Sequence, residues 1–172
     1  MISKIKENIW QFKFKKFGSS VYLIKLKEKN ILIDTGSPGN KEELLEDLKK
    51  LKLIPENIHI LLLTHRHPDH IGNIFLFSNS KIYGSKKDFG ENLLDAKRLK
   101  IKELKIIKTP GHSKGGICIL YKDVLFSGDT LFHRNTIGRT DLPGSSEKEM
   151  QESLKKISKL KFKTLCPGHG YH

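Results

Sequence analysis

The stretch LLLTHRHPDHIGN, Leu61 to Asn73, decides how the chain is read. An apolar run ends at Thr64, and His65, His67, Asp69 and His70 follow within the next six positions. If the backbone stays extended past the run, His65 and His67 are two apart and point to the same side, so both imidazoles can reach one ion. Pro68 disfavours helix at His67 and suits the first turn of one, so a short helix is predicted to start near Asp69. Asp69 and His70 then project in a new direction, where they could hold a second ion. One such histidine alone is most often a loop residue; this set, in this register after an apolar strand, points to metal.

The rest of the sequence repeats that plan of strand followed by ligand. Ile5 to Phe17 alternates loosely and is predicted as an edge strand with one wet face. VYLIKL and NILIDTG read as a hairpin around Glu28-Lys29-Asn30, closed by Asp34. Asn40 and Glu43 resemble a capping box ahead of Leu44, Leu45, Leu48 and Leu51, which are spaced as an amphipathic helix. His59 to Leu63 is the buried strand, with His59 at its far end as a structural residue. IGNIFLF is predicted as a short helix, KIYGS as a strand, and Lys86 to Leu94 as a helix. ELKIIKTPGHS alternates and breaks at Pro110-Gly111, presenting His112. GICILYKDVLFSGDT is a hairpin turning at Lys122-Asp123, with Asp129 at its end. Ser146 and Glu149 form a second capping box before an amphipathic helix, and TLCPGHG is a last strand ending in His169. About ten strands with four or five helices result, every candidate ligand falling at a strand end, so the ligands gather along one rim.

Composition bounds the functional classes. The 172 residues are 37% hydrophobic and 30% charged, enough for one domain with a real core. The net charge of +13 raises a nucleic-acid partner, but only Arg66, Arg98, Arg134 and Arg139 are arginines. Arginine leads at phosphate- and base-reading sites, so lysine spread along the whole chain reads as a solvated surface. Cys118 and Cys166 each sit in a predicted strand and make no disulfide framework. No stretch approaches a membrane span and none resembles a secretion signal, so no membrane partner and a cytoplasmic location are expected.

THRHPDH resembles the HxHxDH motif of the metallo-β-lactamase superfamily. LIDTG with Asp34, PGHS with His112, FSGDT with Asp129 and PGHG with His169 follow in the family's order, from about Tyr22 onward. GDTLF and then GRTDLPG (Gly138 to Gly144) resemble the glyoxalase II-like branch, which includes thioester hydrolases and persulfide dioxygenases. The resemblance implies an α/β fold, the αββα four-layer sandwich, with two mixed sheets face to face and helices outside. It implies a single domain over residues 1–172, without the C-terminal helical region that larger glyoxalase II enzymes carry. It assigns His65, His67 and His112 to a first metal ion, Asp69, His70 and His169 to a second, and Asp129 to a bridge. Asp34 supports the site without ligating. Imidazole and carboxylate donors suit two divalent ions, zinc first, with iron or manganese as alternatives. Asp129 stands where some β-lactamases have cysteine, and His67 where flavodiiron proteins have a carboxylate, which argues against those branches. Cys166 falls at no ligand position and is assigned to packing.

The implied reaction is hydrolysis of a small-molecule thioester of the hydroxyacylglutathione kind, by a hydroxide held between the ions and oriented by Asp69. His133 and Arg139 are candidate substrate residues. The alternatives are a mononuclear iron persulfide dioxygenase, since the motifs overlap, and a metal-dependent nuclease or RNA-binding protein, suggested by the positive charge.

Overall fold

The computed structural model describes residues 1–170, which divide into two compact units. The first comprises residues 1–63 and 67–83, the second residues 64–66 and those from 84 onward.

In the first unit, β1 (Ile2–Lys6), β2 (Ile9–Phe12), β3 (Val21–Lys25), β4 (Asn30–Ile33), β5 (Ile60–Leu62) and β6 (Lys81–Gly84) are hydrogen-bonded neighbours in chain order. The first four are antiparallel, and β5 and β6 continue in parallel. Residues 21–24, 31–33 and 60–62 are all buried, as expected of central strands covered on both faces. The predicted edge strand Ile5–Phe17 is instead the hairpin of β1 and β2, turning at Glu7-Asn8. The side-chain alternation runs on across the turn and conceals it; Asn8, whose amide bonds the Lys25 carbonyl at 3.3 Å, is the turn-forming residue.

Helix α1 (Lys41–Lys50) buries Leu44 and Leu48 as its spacing predicts. The Asn40–Glu43 capping box does not form. Pro38–Asn40 is already a 3-10 turn, so Asn40 lacks the extended backbone of a capping residue and accepts from the Ser37 N–H at 2.8 Å. Glu43 accepts from the Lys15 N–H at 3.0 Å. Past β5, α2 (Pro68–Ile71) starts at Pro68, and a separate 3-10 turn covers Ile74–Phe77. Asn73 divides the two by turning its amide onto the carbonyls of Thr35 and Ser37, at 2.8 and 2.7 Å.

In the second unit, α3 (Lys86–Phe89) is shorter than its predicted span because Gly90, at φ 62°, ends it. A two-residue strand, β7 (Leu94–Asp95), follows. Then β8 (Leu104–Lys108), β9 (Ile117–Tyr121), β10 (Val124–Gly128) and β11 (Thr164–Pro167) form a sheet in the order β11-β10-β9-β8. Only the β10/β11 pair is parallel. The β9–β10 hairpin turns where predicted, with Lys122 at φ 54°. Helix α4 (Glu147–Ile157) is capped by Ser146, whose hydroxyl accepts from the Glu149 N–H at 3.3 Å. Cys118, Leu120, Leu125 and Ile157 form a core, flanked by Ile107, Leu131, Leu160, Phe162 and Leu165. Two mixed sheets with helices make the α/β fold that the sequence implied. Among the described residues, no helix is long and apolar enough to cross a membrane.

Candidate metal centre

The first unit fixes its candidate ligands by sewing the loop after β4 onto α2. Thr35 donates from its N–H and its hydroxyl to the His70 carbonyl, at 2.7 and 3.0 Å, and the Gly72 N–H bonds the Gly36 carbonyl at 2.9 Å. Gly72 must be glycine, since a Cβ there would lie 2.3 Å from the Pro38 nitrogen. Asp34 ends β4 in the left-handed region at φ 60° and is 2% exposed. Its Oδ2 stands 2.7 Å from Nδ1 of His70, which is fully buried. Donation from Nδ1–H to the carboxylate leaves the lone pair on Nε2, the tautomer that a metal requires. Asp69, half-buried, has Oδ2 3.9 Å from that Nε2, and its carbonyl accepts from the Ser19 N–H at 3.1 Å. His67 is half-buried with an extended backbone, φ −76° and ψ 146°, at the start of α2.

The second unit uses the same device. His112 Nδ1–H donates to the Arg139 carbonyl at 2.8 Å, which again leaves Nε2 as the lone-pair atom. His65 Nδ1 is 3.0 Å from the Thr64 hydroxyl, and the His65 and His112 rings meet edge to face with centroids 4.9 Å apart. Asp129, just past β10, places Oδ2 3.4 Å from Nε2 of His112 and 3.5 Å from Nε2 of His169. Gly138 brings the GRTD segment in: its N–H bonds the Asp129 carbonyl at 3.1 Å, and a Cβ on it would lie 2.1 Å from that oxygen. Phe132 packs edge-on to His169, with centroids 6.1 Å apart.

Among the described residues, histidine and carboxylate side chains of both units could hold a metal ion. They are His67, Asp69 and His70 of the first unit and His65, His112, Asp129 and His169 of the second. The donors are imidazole nitrogen and carboxylate oxygen. Burial pushes the Cys118 thiol up to about 11 and the Cys166 thiol up to about 12, and neither cysteine is among these donors. The spacing fits metal. Two atoms bound to one tetrahedral ion at about 2.0–2.2 Å are separated by roughly 3.3–3.6 Å, the range in which Asp129 Oδ2 stands from two imidazoles. A carboxylate oxygen facing the lone pair of His112 Nε2 is repulsive by itself, and a cation between them reverses the sign.

Every ligand named from the sequence occurs in these groups. His59 is structural as expected, its Nδ1 accepting from the Asn30 N–H at 3.1 Å. His133 opens an exposed 3-10 turn. Arg139 and Asp141, both exposed, pair with each other at 2.9 and 2.8 Å, and the guanidinium's hydrogen bonds hold the Asp141 carboxyl down at about 2. Sequence reasoning missed that Arg139 serves His112 through its backbone carbonyl. No side-chain pattern signals that; only the obligatory glycine before it hints at close approach.

Nitrogen and oxygen donors suited to divalent metal at the strand ends of such an α/β fold define a metal-binding protein, and this is the class to which fold and site assign the chain. Its family follows from the comparisons: the model for the metallo-β-lactamase superfamily matches residues 15–87 and 80–169, and the chain belongs to that superfamily. It is 40% identical over 143 residues to a probable metallo-hydrolase of Methanocaldococcus jannaschii, covering 81% of this chain and 70% of that protein. It is 34% identical over 154 residues to hydroxyacylglutathione hydrolase 1 of Vibrio vulnificus, covering 84% of this chain but 58% of that one. Among solved structures, TTHA1623 in a di-iron-bound form is similar at 26% identity and a TM-score of 0.77, covering 94% of this chain and 92% of that one.

Proposed function

We propose that the protein is a binuclear metal-dependent hydrolase that cleaves a small-molecule thioester. In this reading His65, His67 and His112 hold one ion, Asp69, His70 and His169 hold the other, and Asp129 bridges them. The observation that supports metal at Asp129 is its single oxygen standing at ligand-to-ligand distance from both His112 and His169; the second ion rests on the seven-residue donor set that the family resemblance implies. Zinc suits the donor set, and the similarity to a protein with a di-iron-bound form makes iron the competing metal. When bound, the ions would supply Lewis-acid polarisation of a carbonyl and a water of lowered pKa.

The chain's own residues set the rest. Asp34 and the Arg139 carbonyl fix the His70 and His112 tautomers, so both Nε2 lone pairs face the site. Asp69 is half-buried, which leaves its carboxylate room to accept a hydrogen bond from the attacking water and orient it. A thiol leaving group of pKa about 8.5 departs as thiolate, so no strong acid is required of the protein. Exposed His133 is therefore free of an obligatory proton-donating role. The thioester reading is supported by the GRTDLPG segment and by the similarity to the Vibrio hydrolase.

The test is elemental analysis of protein purified without added metal or chelator, followed by a panel of acyl thioesters assayed by thiol release. Close to two ions per chain with thiol release is expected. Metal-loaded protein inert on the whole panel refutes thioester cleavage. One iron per chain, with oxygen uptake on glutathione persulfide, establishes the dioxygenase alternative instead.

A further inference from the structure

Asp88 belongs to no motif of the site, yet it holds together the two loops that carry His65 and His112. It is the third residue of α3 and is half-buried. Its Oδ2 accepts from the Ser113 hydroxyl at 2.8 Å and from the Arg66 N–H at 3.3 Å. Its Oδ1 accepts from the Gly115 N–H at 2.6 Å, and its own carbonyl lies 3.5 Å from Nη1 of Arg66. Arg66 is the residue between His65 and His67, and Ser113 follows His112. One carboxylate thus grips the backbone of the first loop and both a side chain and the backbone of the second.

Two further observations show that the chain is shaped around this grip. A Cβ on Gly115 would lie 2.6 Å from both the Asp88 nitrogen and Oδ1, so the GHSKGG loop needs glycine there for the carboxylate to seat. Helix α3 is only four residues long, entered by the Ser85 hydroxyl accepting from the Lys87 N–H at 3.4 Å and ended by Gly90 at φ 62°. It is thus a short piece held at both ends, with Asp88 inside it. Hydrogen bonds to an anionic acceptor are roughly twice as strong as neutral ones, so three of them hold their loops firmly.

We infer that Asp88 is a positioning residue for the ion held by His65, His67 and His112, setting the separation of the His65 and His112 loops before metal arrives. The inference rests on the metal assignment proposed above. It predicts a selective effect, because the Asp69, His70 and His169 group shares none of the backbone that Asp88 grips.

Asp88→Asn keeps the size but turns an NH2 group toward N–H donors in either orientation of the amide; Ser113→Ala removes one of the three bonds. Each variant, made in the full chain, is stripped of metal and titrated with Zn2+ against a chromophoric chelator, and the metal-free protein is melted. For Asp88→Asn one of two affinities is expected to fall about 10- to 100-fold with the other unchanged. Ser113→Ala should lower the same affinity by less. The metal-free melting temperature should fall only by the local loss of these bonds, a selective fall in one affinity supporting the inference whatever its size, and Lys86→Ala, on the same helix but paired with Glu91, should alter neither affinity. Two unchanged affinities overturn the inference, and so does an equal fall in both accompanied by a lower metal-free melt, which would make Asp88 a general fold residue. Wild-type protein that takes up no ion overturns the metal assignment and this role together, an outcome distinct from uptake that the variants leave unaltered.

Discussion

Replacing Asp34 by Asn isolates what a buried carboxylate does for a metal-binding imidazole. Asp34 Oδ2 is 2.7 Å from His70 Nδ1, with the two side chains 2% and 0% exposed. Asparagine tolerates the left-handed backbone at φ 60°, so the loop is not strained by the change. The Asn oxygen can still accept from Nδ1–H, but without the charge that raises the basicity of Nε2. If the amide turns its NH2 to the ring instead, His70 must carry its proton on Nε2, where it blocks the ion. Losing such a support typically weakens metal binding about 10- to 100-fold, or about 1.4–2.8 kcal/mol at roughly 1.4 kcal/mol per tenfold. The metal-free fold should lose far less, because the variant also removes a buried charge and its desolvation penalty. Competition titration with a chromophoric chelator, alongside urea unfolding of the metal-free protein, separates the two effects. Affinities unchanged within about twofold would refute the argument that the carboxylate tunes the ligand.

Four other outcomes follow from the geometry and from the burial of the thiols. His169→Ala should leave one ion per chain, and Asp129→Ala should weaken both, read by elemental analysis after gel filtration; His169→Ala protein that retains two ions contradicts the bridging arrangement. Gly138→Ala sets a Cβ 2.1 Å from the Asp129 carbonyl oxygen, where backbone must move, and should destabilise by about 1–3 kcal/mol in urea unfolding. With thiols at about 11 and 12, the thiolate fractions of Cys118 and Cys166 at pH 8 are about 10⁻³ and 10⁻⁴; Ellman's reagent should therefore react only after unfolding, and prompt reaction of native protein would place a thiol at the surface.

The sequence by itself pointed to the candidate ligands and to the ends of the strands that precede them, because both are local. Apolar runs stop at Thr64 and Gly128 and an alternating strand breaks at Pro110-Gly111, and an imidazole or carboxylate follows each one directly. Pro68 starts α2 by its own ring geometry, and Gly90 ends α3 by its own backbone freedom. Turns inside an alternating pattern were illegible: Glu7-Asn8 splits the predicted Ile5–Phe17 strand although the apolar residues recur on both sides of it. The Asn40–Glu43 box failed because capping depends on the backbone of the residue before the helix, which Pro38 had already turned. Tertiary structure alone decided which atoms orient the ligands. The Asp34 carboxylate reaches His70 across 36 positions, the Arg139 carbonyl reaches His112 across 27, and Asp88 reaches Ser113 across 25. A backbone carbonyl is identical in every residue, and a lone aspartate in a short helix carries no spacing signal. Their roles exist only once the chain has folded and the distance in sequence has become a distance of under 3 Å in space.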